Sequence, residues 1–116
     1  MKVKVIQKNT FELIKQIAKG YANLEKGSRK ALKTYSEVAI ELVQKHMSKK
    51  EVELKEGKTY CFIYQSFENL GTARYSDYYH EINEKEMKFK RETDEYIVVN
   101  DNEVKIKKQR LICIVV

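Results

Sequence analysis

The feature that most constrains this 116-residue sequence is a set of apolar residues that recur every three or four positions between Ser28 and Met47. Such a period places the apolar residues on one face of an α-helix. Ser28 is a favourable N-cap, because its hydroxyl can accept a hydrogen bond from a first-turn N–H. The spacing therefore predicts a helix over Ser28–Met47 whose buried face comprises Ala31, Leu32, Tyr35, Val38, Ala39, Leu42, Val43, His46 and Met47.

A strand and a first helix are predicted before this segment. Lysine and valine alternate in Lys2–Lys8, which indicates a short strand with one buried face. Asn9 or Thr10 then caps a helix whose apolar positions again recur every three or four residues. Gly27 is expected to end this helix, since glycine readily adopts the left-handed conformation found after helices. The two helices should therefore form a tight corner or hairpin.

After Met47 the pattern changes to the alternation that is typical of strands. A turn signal at Glu56-Gly57 predicts that Glu51–Gln65 is a β-hairpin. The segment Ser66–Thr72 contains an asparagine and a glycine and is expected to be a loop.

The C-terminal part is predicted to consist of further strands. The tyrosines of Arg74–Ile82 fit helical spacing, but the aromatic content favours a strand, which is our prediction. Tyr96–Val99 and Glu103–Val116 flank the turn-forming residues Asn100–Asn102 and should form a hairpin. Leu111–Val116 is apolar on both faces, which indicates a central strand covered by the helices.

These elements predict one α+β domain over residues 1–116. An N-terminal strand and a two-helix layer would pack on a mainly antiparallel sheet of about five to six strands. A variant of this arrangement keeps the helices with the first strand and closes residues 51–116 into a small barrel. The sequence holds four glycines and no proline, so no segment has the composition of a flexible linker.

Positive charge is concentrated in the first half of the sequence. Residues 1–50 hold twelve Lys/Arg against four Asp/Glu, a net charge of +8, whereas residues 51–116 have a net charge of −2. Such asymmetry indicates an anionic partner for the basic half, although a solvated, lysine-rich surface gives the same composition.

The first candidate site is the basic start of the second predicted helix. Cations there are locally unfavourable, because a helix N-terminus already has a partial positive charge. A bound anion such as phosphate would offset this unfavourable interaction. Free N–H groups, a hydroxyl and cationic side chains would jointly bind the anion. The predicted phosphate-binding residues are Lys26, Ser28, Arg29, Lys30 and Lys33. The alternative is that these lysines simply extend into water.

Tyrosines form the second candidate site. Tyrosine supplies rigid, amphipathic contact area that suits base stacking and protein contacts, with core packing as the alternative role. Neighbouring residues of a strand point to opposite faces, so one of Tyr78 and Tyr79 should remain accessible. Tyr79 is the predicted stacking residue for a nucleic acid. A protein partner would contact Arg74, Tyr75, Tyr78 and Tyr79.

No catalytic residue, metal site or cofactor is predicted. Asp77, His80 and Glu81 place a single histidine beside two carboxylates, which is a weak pattern for zinc. The sequence has no P-loop, dinucleotide fingerprint or nucleophile elbow, so an enzyme is the least favoured class. Cys61 and Cys113 stand alone in apolar runs, which predicts buried, reduced thiols. We expect a cytoplasmic location, because neither a signal-peptide pattern nor a membrane-spanning run is found.

The sequence therefore predicts a non-enzymatic nucleic-acid-binding accessory protein that contacts phosphates through its basic helix start. In composition it resembles the small Lys/Glu-rich accessory proteins carried by phages and plasmids of low-GC bacteria. A helix-turn-helix followed by a hairpin wing is one form that DNA binding could take, although Glu37 and Glu41 lie on the outer face of its second helix. The alternative function is a protein inhibitor of a nucleic-acid-handling enzyme, acting by protein–protein binding in the manner of anti-CRISPR proteins.

Overall fold

The computed structural model describes residues 1–25, 35–69 and 78–116. The elements of these ranges are, in chain order, β1 (Lys2–Ile6), α1 (Lys8–Glu25), α2 (Tyr35–His46), β2 (Ser48–Glu53), β3 (Thr59–Asn69), β4 (Tyr78–Glu92), β5 (Tyr96–Val99), β6 (Val104–Lys107), a 3-10 turn (Lys108–Arg110) and β7 (Leu111–Val115). The predicted start of the second helix at Ser28 lies outside the described residues, and so does its predicted corner with the first helix.

The described strands form a seven-stranded mixed sheet in the order β2-β1-β7-β3-β4-β5-β6. β1 and β7 run parallel, and the other neighbouring strands run antiparallel. The predicted α+β class is therefore confirmed, with an N-terminal strand, two helices and a mainly antiparallel sheet that has slightly more strands than expected. The prediction of a central strand over Leu111–Val116 is also confirmed, because β7 lies between β1 and β3.

One face of the sheet carries the helices. Ile63 of β3 and Cys113 of β7 are fully buried beneath them. The helical residues of this core recur at the predicted spacing: Phe11, Ile14 and Ala18 of α1, and Val38, Ala39 and Val43 of α2. The prediction is wrong for the end of the second helix, because His46 is its last residue and is exposed. Ser36 of α2 is also buried, and its Oγ accepts a hydrogen bond of 3.2 Å from the backbone N–H of Ile82 in β4.

The opposite face of the sheet curls around a second core. This core joins strands from both ends of the sheet, which is possible because sheets twist and coil. Its buried residues include Val3 and Val5 of β1, Phe62 of β3, Phe89 of β4, Ile97 and Val99 of β5, and Ile106 of β6. The curled sheet is nevertheless not the predicted barrel, since the described parts of its outermost strands β2 and β6 do not pair with each other.

The predicted hairpin over Glu51–Gln65 is wrong. β2 pairs with β1, whereas β3 pairs with β4 and β7. The chain does make a local turn at Gly57, which has a φ of 82°, but a turn signal does not determine which strands pair. Opposite charges favour the observed partner, because Lys4 lies across from Glu51 and Lys2 lies across from Glu53. The hairpin proposed as a wing of a helix-turn-helix is therefore not formed.

Three other predicted segments can be compared with the structure. The loop prediction is wrong for Ser66–Asn69, because β3 continues to Asn69 through its pairing with β4, and residues 70–72 lie outside the described ranges. The strand predicted within Arg74–Ile82 is confirmed from Tyr78 onward. The β5–β6 hairpin is confirmed, but the strand predicted over Glu103–Val116 is divided by the 3-10 turn into β6 and β7.

Candidate nucleic-acid interface

Most residues of the two predicted sites lie outside the described ranges. They are the five phosphate-binding residues and two members of the partner-binding group: Lys26, Ser28, Arg29, Lys30, Lys33, Arg74 and Tyr75. Tyr78 and Tyr79 form the start of β4, where their backbones pair with Asn69 and Glu68. The functions assigned to these residues stay predictions.

The structure brings together a different group of cations on β4 and β6, the two strands that flank β5. Met87 and Phe89 of β4 point into the second core. Because neighbouring residues of a strand point to opposite faces, Lys88 and Lys90 point to the face that carries the helices. In β6, Ile106 is in the second core, so its neighbours Lys105 and Lys107 point to that same outer face.

An irregular pairing adds an arginine to this group. The β4–β5 register shifts between Phe89 and Arg91, which places Arg91 opposite Val98. Such a bulge re-aims a side chain locally, and Val98 belongs to the outer face because Ile97 and Val99 belong to the core. We call the resulting surface the basic face; its cations are Lys88, Lys90, Arg91, Lys105 and Lys107.

The basic face has one apolar residue at its centre. Val98 lies between Arg91 of β4 and Lys105 of β6 in the strand register, and it is fully buried. Tyr96 is half-buried and lies opposite Lys107, which adds one aromatic side chain to this surface.

Two carboxylates of the β5–β6 turn are paired with the basic face. Asp101 Oδ1 lies 3.0 Å from Lys90 Nζ and 3.4 Å from Lys88 Nζ. Glu103 Oε1 lies 2.7 Å from Arg91 Nη1. Hydrogen bonds from these cations lower the pKa of both carboxyl groups. The basic face therefore has five cations and only two carboxylates in ion pairs with them within the described residues.

The backbone of this turn is held on β4. The N–H of Asn100 donates to the carbonyl oxygen of Lys88 at 2.7 Å, and Asn100 Oδ1 accepts from the N–H of Lys88 at 3.0 Å. Asn100 has a φ of 64°, a left-handed conformation that asparagine tolerates better than most residues. The turn therefore has a fixed position relative to the lysines of β4.

The other acidic residues close to these cations in sequence differ in position. Glu86 lies two residues before Lys88 and therefore points to the same face of β4, whereas Glu92 points to the opposite face. Glu92 pairs with Ile97 in the strand register, and its Oε2 lies 2.7 Å from Lys108 Nζ, which lowers the pKa of Glu92. Asp94 and Glu95 lie in the β4–β5 turn, at the rim of the basic face. There they line a cleft of about 350 Å³ with Lys107, Lys108 and Gln109.

Helix α1 presents a second exposed surface, which is apolar. Leu13, Ile17 and Tyr21 are 57%, 42% and 54% exposed. A spacing of four residues places them on one side of the helix. The charged residues in this part of α1 follow a different line: Lys8, Glu12, Lys15 and Lys19. We call the exposed surface formed by Leu13, Ile17 and Tyr21 the apolar stripe.

A shallow groove lies between the start of α1 and the strands beneath it. Its volume is about 450 Å³, and Cys61, Glu84 and Val115 are among its lining residues. Lys15 Nζ bridges Glu12 and Glu84 at 3.1 and 3.2 Å. Burial raises the pKa of the Cys61 thiol, and Glu84 and Glu86 raise it further. A raised pKa disfavours the reactive thiolate, so this groove does not resemble the site of a nucleophilic cysteine.

Comparisons with protein-family models, with curated proteins and with solved structures find no match for this chain. Within the described residues, no three His, Cys, Asp or Glu side chains are grouped so that they could hold a metal ion. No described helix is long and apolar enough to cross a membrane. The site must therefore be interpreted from its own geometry and charge.

Proposed function

We propose that this chain is a non-enzymatic nucleic-acid-binding protein of the cytoplasm and that the basic face contacts the phosphate backbone. The observation that carries this proposal is the gathering of five cations from two strands, β4 and β6, on one exposed surface. Within the described residues only two carboxylates pair with these cations. Cations that neutralise phosphates release condensed counterions, which supplies much of the affinity for nucleic acids. Tyr96 adds contact area suited to a base or a sugar.

The test is the salt dependence of binding to a labelled single strand, a labelled duplex and an RNA of the same length. We expect the Lys88→Ala, Lys90→Ala and Lys105→Ala triple variant to weaken duplex binding. It should also reduce the slope of log affinity against log salt by about 2–3, since each duplex phosphate neutralised contributes about 0.9. Folding should be retained, because none of the three lysines is buried in either core.

A matched control separates the basic face from net charge. The Lys45→Ala, Lys49→Ala and Lys50→Ala variant removes the same charge from exposed residues at the end of α2 and in β2. An equal loss in both variants would contradict the assignment of the basic face. Absence of binding by the parent chain beyond the non-specific level of roughly 10⁻⁴–10⁻⁶ M would refute nucleic-acid binding itself.

The sequence-predicted cations can be compared in the same assay. Combined replacement of Arg29, Lys30 and Lys33 by alanine tests the proposed phosphate site near Ser28. If both groups of cations bind one nucleic acid, each variant should reduce the salt slope and the combined variant should reduce it further. Tyr79→Ala should lower affinity with the salt slope unchanged, because stacking releases few ions.

The apolar stripe supports a second candidate function, inhibition of a nucleic-acid-handling enzyme by protein–protein binding. Large apolar side chains that are half exposed on one side of a helix are a common feature of protein interfaces. Ile17→Glu should then abolish a complex with one enzyme in extracts of the source organism, whereas Lys19→Glu should retain it. Persistence of every co-purifying protein in the Ile17→Glu sample would contradict this function.

A further inference from the structure

The ion pairs on the basic face have the same chemistry as phosphate contacts. Carboxylate and phosphate oxygens both accept charge-assisted hydrogen bonds from ammonium and guanidinium groups. Three of the five cations, Lys88, Lys90 and Arg91, are already in contact with Asp101 or Glu103. A nucleic acid that uses these cations must therefore displace the carboxylates or share the cations with them.

We propose that Asp101 and Glu103 occupy the positions of two successive phosphates in the free protein, and that a nucleic-acid strand binds by replacing them. This inference rests on the proposed nucleic-acid-binding function and adds its regulation. The carboxylates would act as an internal competitor that lowers affinity for all polyanions and prevents the lysines from holding small anions.

The exposure of the two side chains favours exchange over permanent pairing. The side chains of Asp101 and Glu103 are 80% and 56% exposed. Exposed ion pairs of this kind contribute little, because water and salt screen both partners. A ligand that offers several phosphates at once can therefore displace them at modest cost.

The attachment of the turn confines the exchange to side chains. Asn100 is hydrogen-bonded through its backbone and its side chain to Lys88, so the backbone of the β5–β6 turn stays in place. Asp101 and Glu103 can rotate into water without movement of the strands. After exchange they remain beside the bound strand, where their charge continues to oppose binding.

The arrangement also indicates the class of ligand. Asp101 is held by two lysines and Glu103 by an arginine, which defines two adjacent anion positions on one surface. A strand with successive phosphates can occupy both positions, whereas inorganic phosphate or a mononucleotide replaces only one carboxylate. We expect inorganic phosphate at millimolar concentration to compete poorly with an oligonucleotide.

The experiment compares two pairs of charge-neutralising substitutions. The Asp101→Asn/Glu103→Gln variant removes the proposed competitor. The control Glu51→Gln/Glu81→Gln changes the net charge equally, at exposed positions in β2 and in the distal part of β4. Affinity for a labelled oligonucleotide of about 20 nucleotides, longer than the site of a single small binding domain, is measured by fluorescence anisotropy at low and physiological salt.

We expect the Asp101→Asn/Glu103→Gln variant to bind roughly 3- to 10-fold more tightly than the parent at low salt, the effect of two exposed ion pairs. The gain should shrink as salt rises, and the control variant should gain less than half as much. Circular dichroism establishes that each variant is folded, and Glu103→Gln alone serves as a milder substitution if the double variant is not.

The outcomes distinguish this inference from the function on which it rests. Suppose that the parent binds and the triple lysine variant binds more weakly, but the affinity of the Asp101→Asn/Glu103→Gln variant rises no more than that of its control. The exchange mechanism is then wrong, and the basic face remains the proposed binding surface. If no chain binds any nucleic acid above the non-specific level, the proposed function fails and the exchange mechanism fails with it.

Discussion

Substitution of Ser36 by alanine tests how α2 is attached to the sheet. Ser36 is 3% exposed, and its Oγ accepts a hydrogen bond from the N–H of Ile82 at 3.2 Å. The edge of β4 that faces away from β3 pairs with β5 only from Phe89 onward. At Ile82, β5 therefore provides no backbone acceptor on this edge. In the Ser36→Ala variant this partly buried N–H would lose its acceptor. We expect a loss of about 1–3 kcal/mol in the free energy of unfolding, the cost of an unsatisfied buried donor.

Ser48 provides a matched control for this prediction. Its Oγ also accepts from a backbone N–H, that of Lys50 at 3.1 Å, but both residues are exposed and water can replace the serine. Ser48→Ala should change the unfolding free energy by no more than about 0.5 kcal/mol. Urea denaturation of both variants measures the difference, and hydrogen exchange at Ile82 should become faster only in Ser36→Ala. Equal losses, or no loss in Ser36→Ala, would refute this account of the attachment.

Three further predictions concern the cores, the thiols and acid stability. Phe62→Ala should cost about 3–5 kcal/mol because Phe62 is fully buried, whereas Leu13→Ala, at a 57% exposed position, should fall within about 0.5 kcal/mol of the parent in chemical denaturation. Burial raises the pKa of Cys113 to about 12 and also raises that of Cys61. A thiol reagent near neutral pH should therefore label the native chain slowly, with Cys61 reacting before Cys113. Rapid labelling of both cysteines in the native chain would contradict their placement. Ion pairs lower the pKa of the Asp101 and Glu103 carboxyl groups in the folded chain. The stability that these pairs contribute should therefore be present above about pH 4 and lost on further acidification. If the urea midpoint falls with pH as much in the Asp101→Asn/Glu103→Gln variant as in the parent, this prediction is wrong.

The element types were largely predictable because periodicity reports burial directly. The alternation of Lys2 to Val5 and the three- and four-residue steps of α1 each place apolar side chains on one side of an element. Strand partners were not predictable in this way. The pairing of β2 with β1, and of β1 with β7, depends on contacts between segments that are distant in sequence. No local signal between Glu51 and Gln65 distinguishes a hairpin from two strands of different pairs.

The basic face was missed because charge was counted along the sequence. Residues 51–116 have a net charge of −2, and the segment from Lys88 to Lys107 holds as many acidic residues as basic ones. Pleating and the bulge at Arg91 sort these charges in space, with Glu92 paired to Lys108 away from the outer face. A count restricted to alternate positions of β4 and β6 would have shown the excess of cations. Identifying those positions required the register, which the sequence alone does not provide.

The parallel pairing of β1 with β7 has a consequence for how the chain acquires its fold. Val5 pairs with Ile114, and Ile6 pairs with Val115. The centre of the sheet therefore cannot form until β1 and β7 have both been synthesised and have come together. Contacts between such distant segments require closure of a long loop and slow the search for the native state. During synthesis β1 can meet β2 early but keeps one unpaired edge until β7 emerges from the ribosome. We therefore expect a folding intermediate that lacks β7 and whose open strand edge is prone to association with other chains.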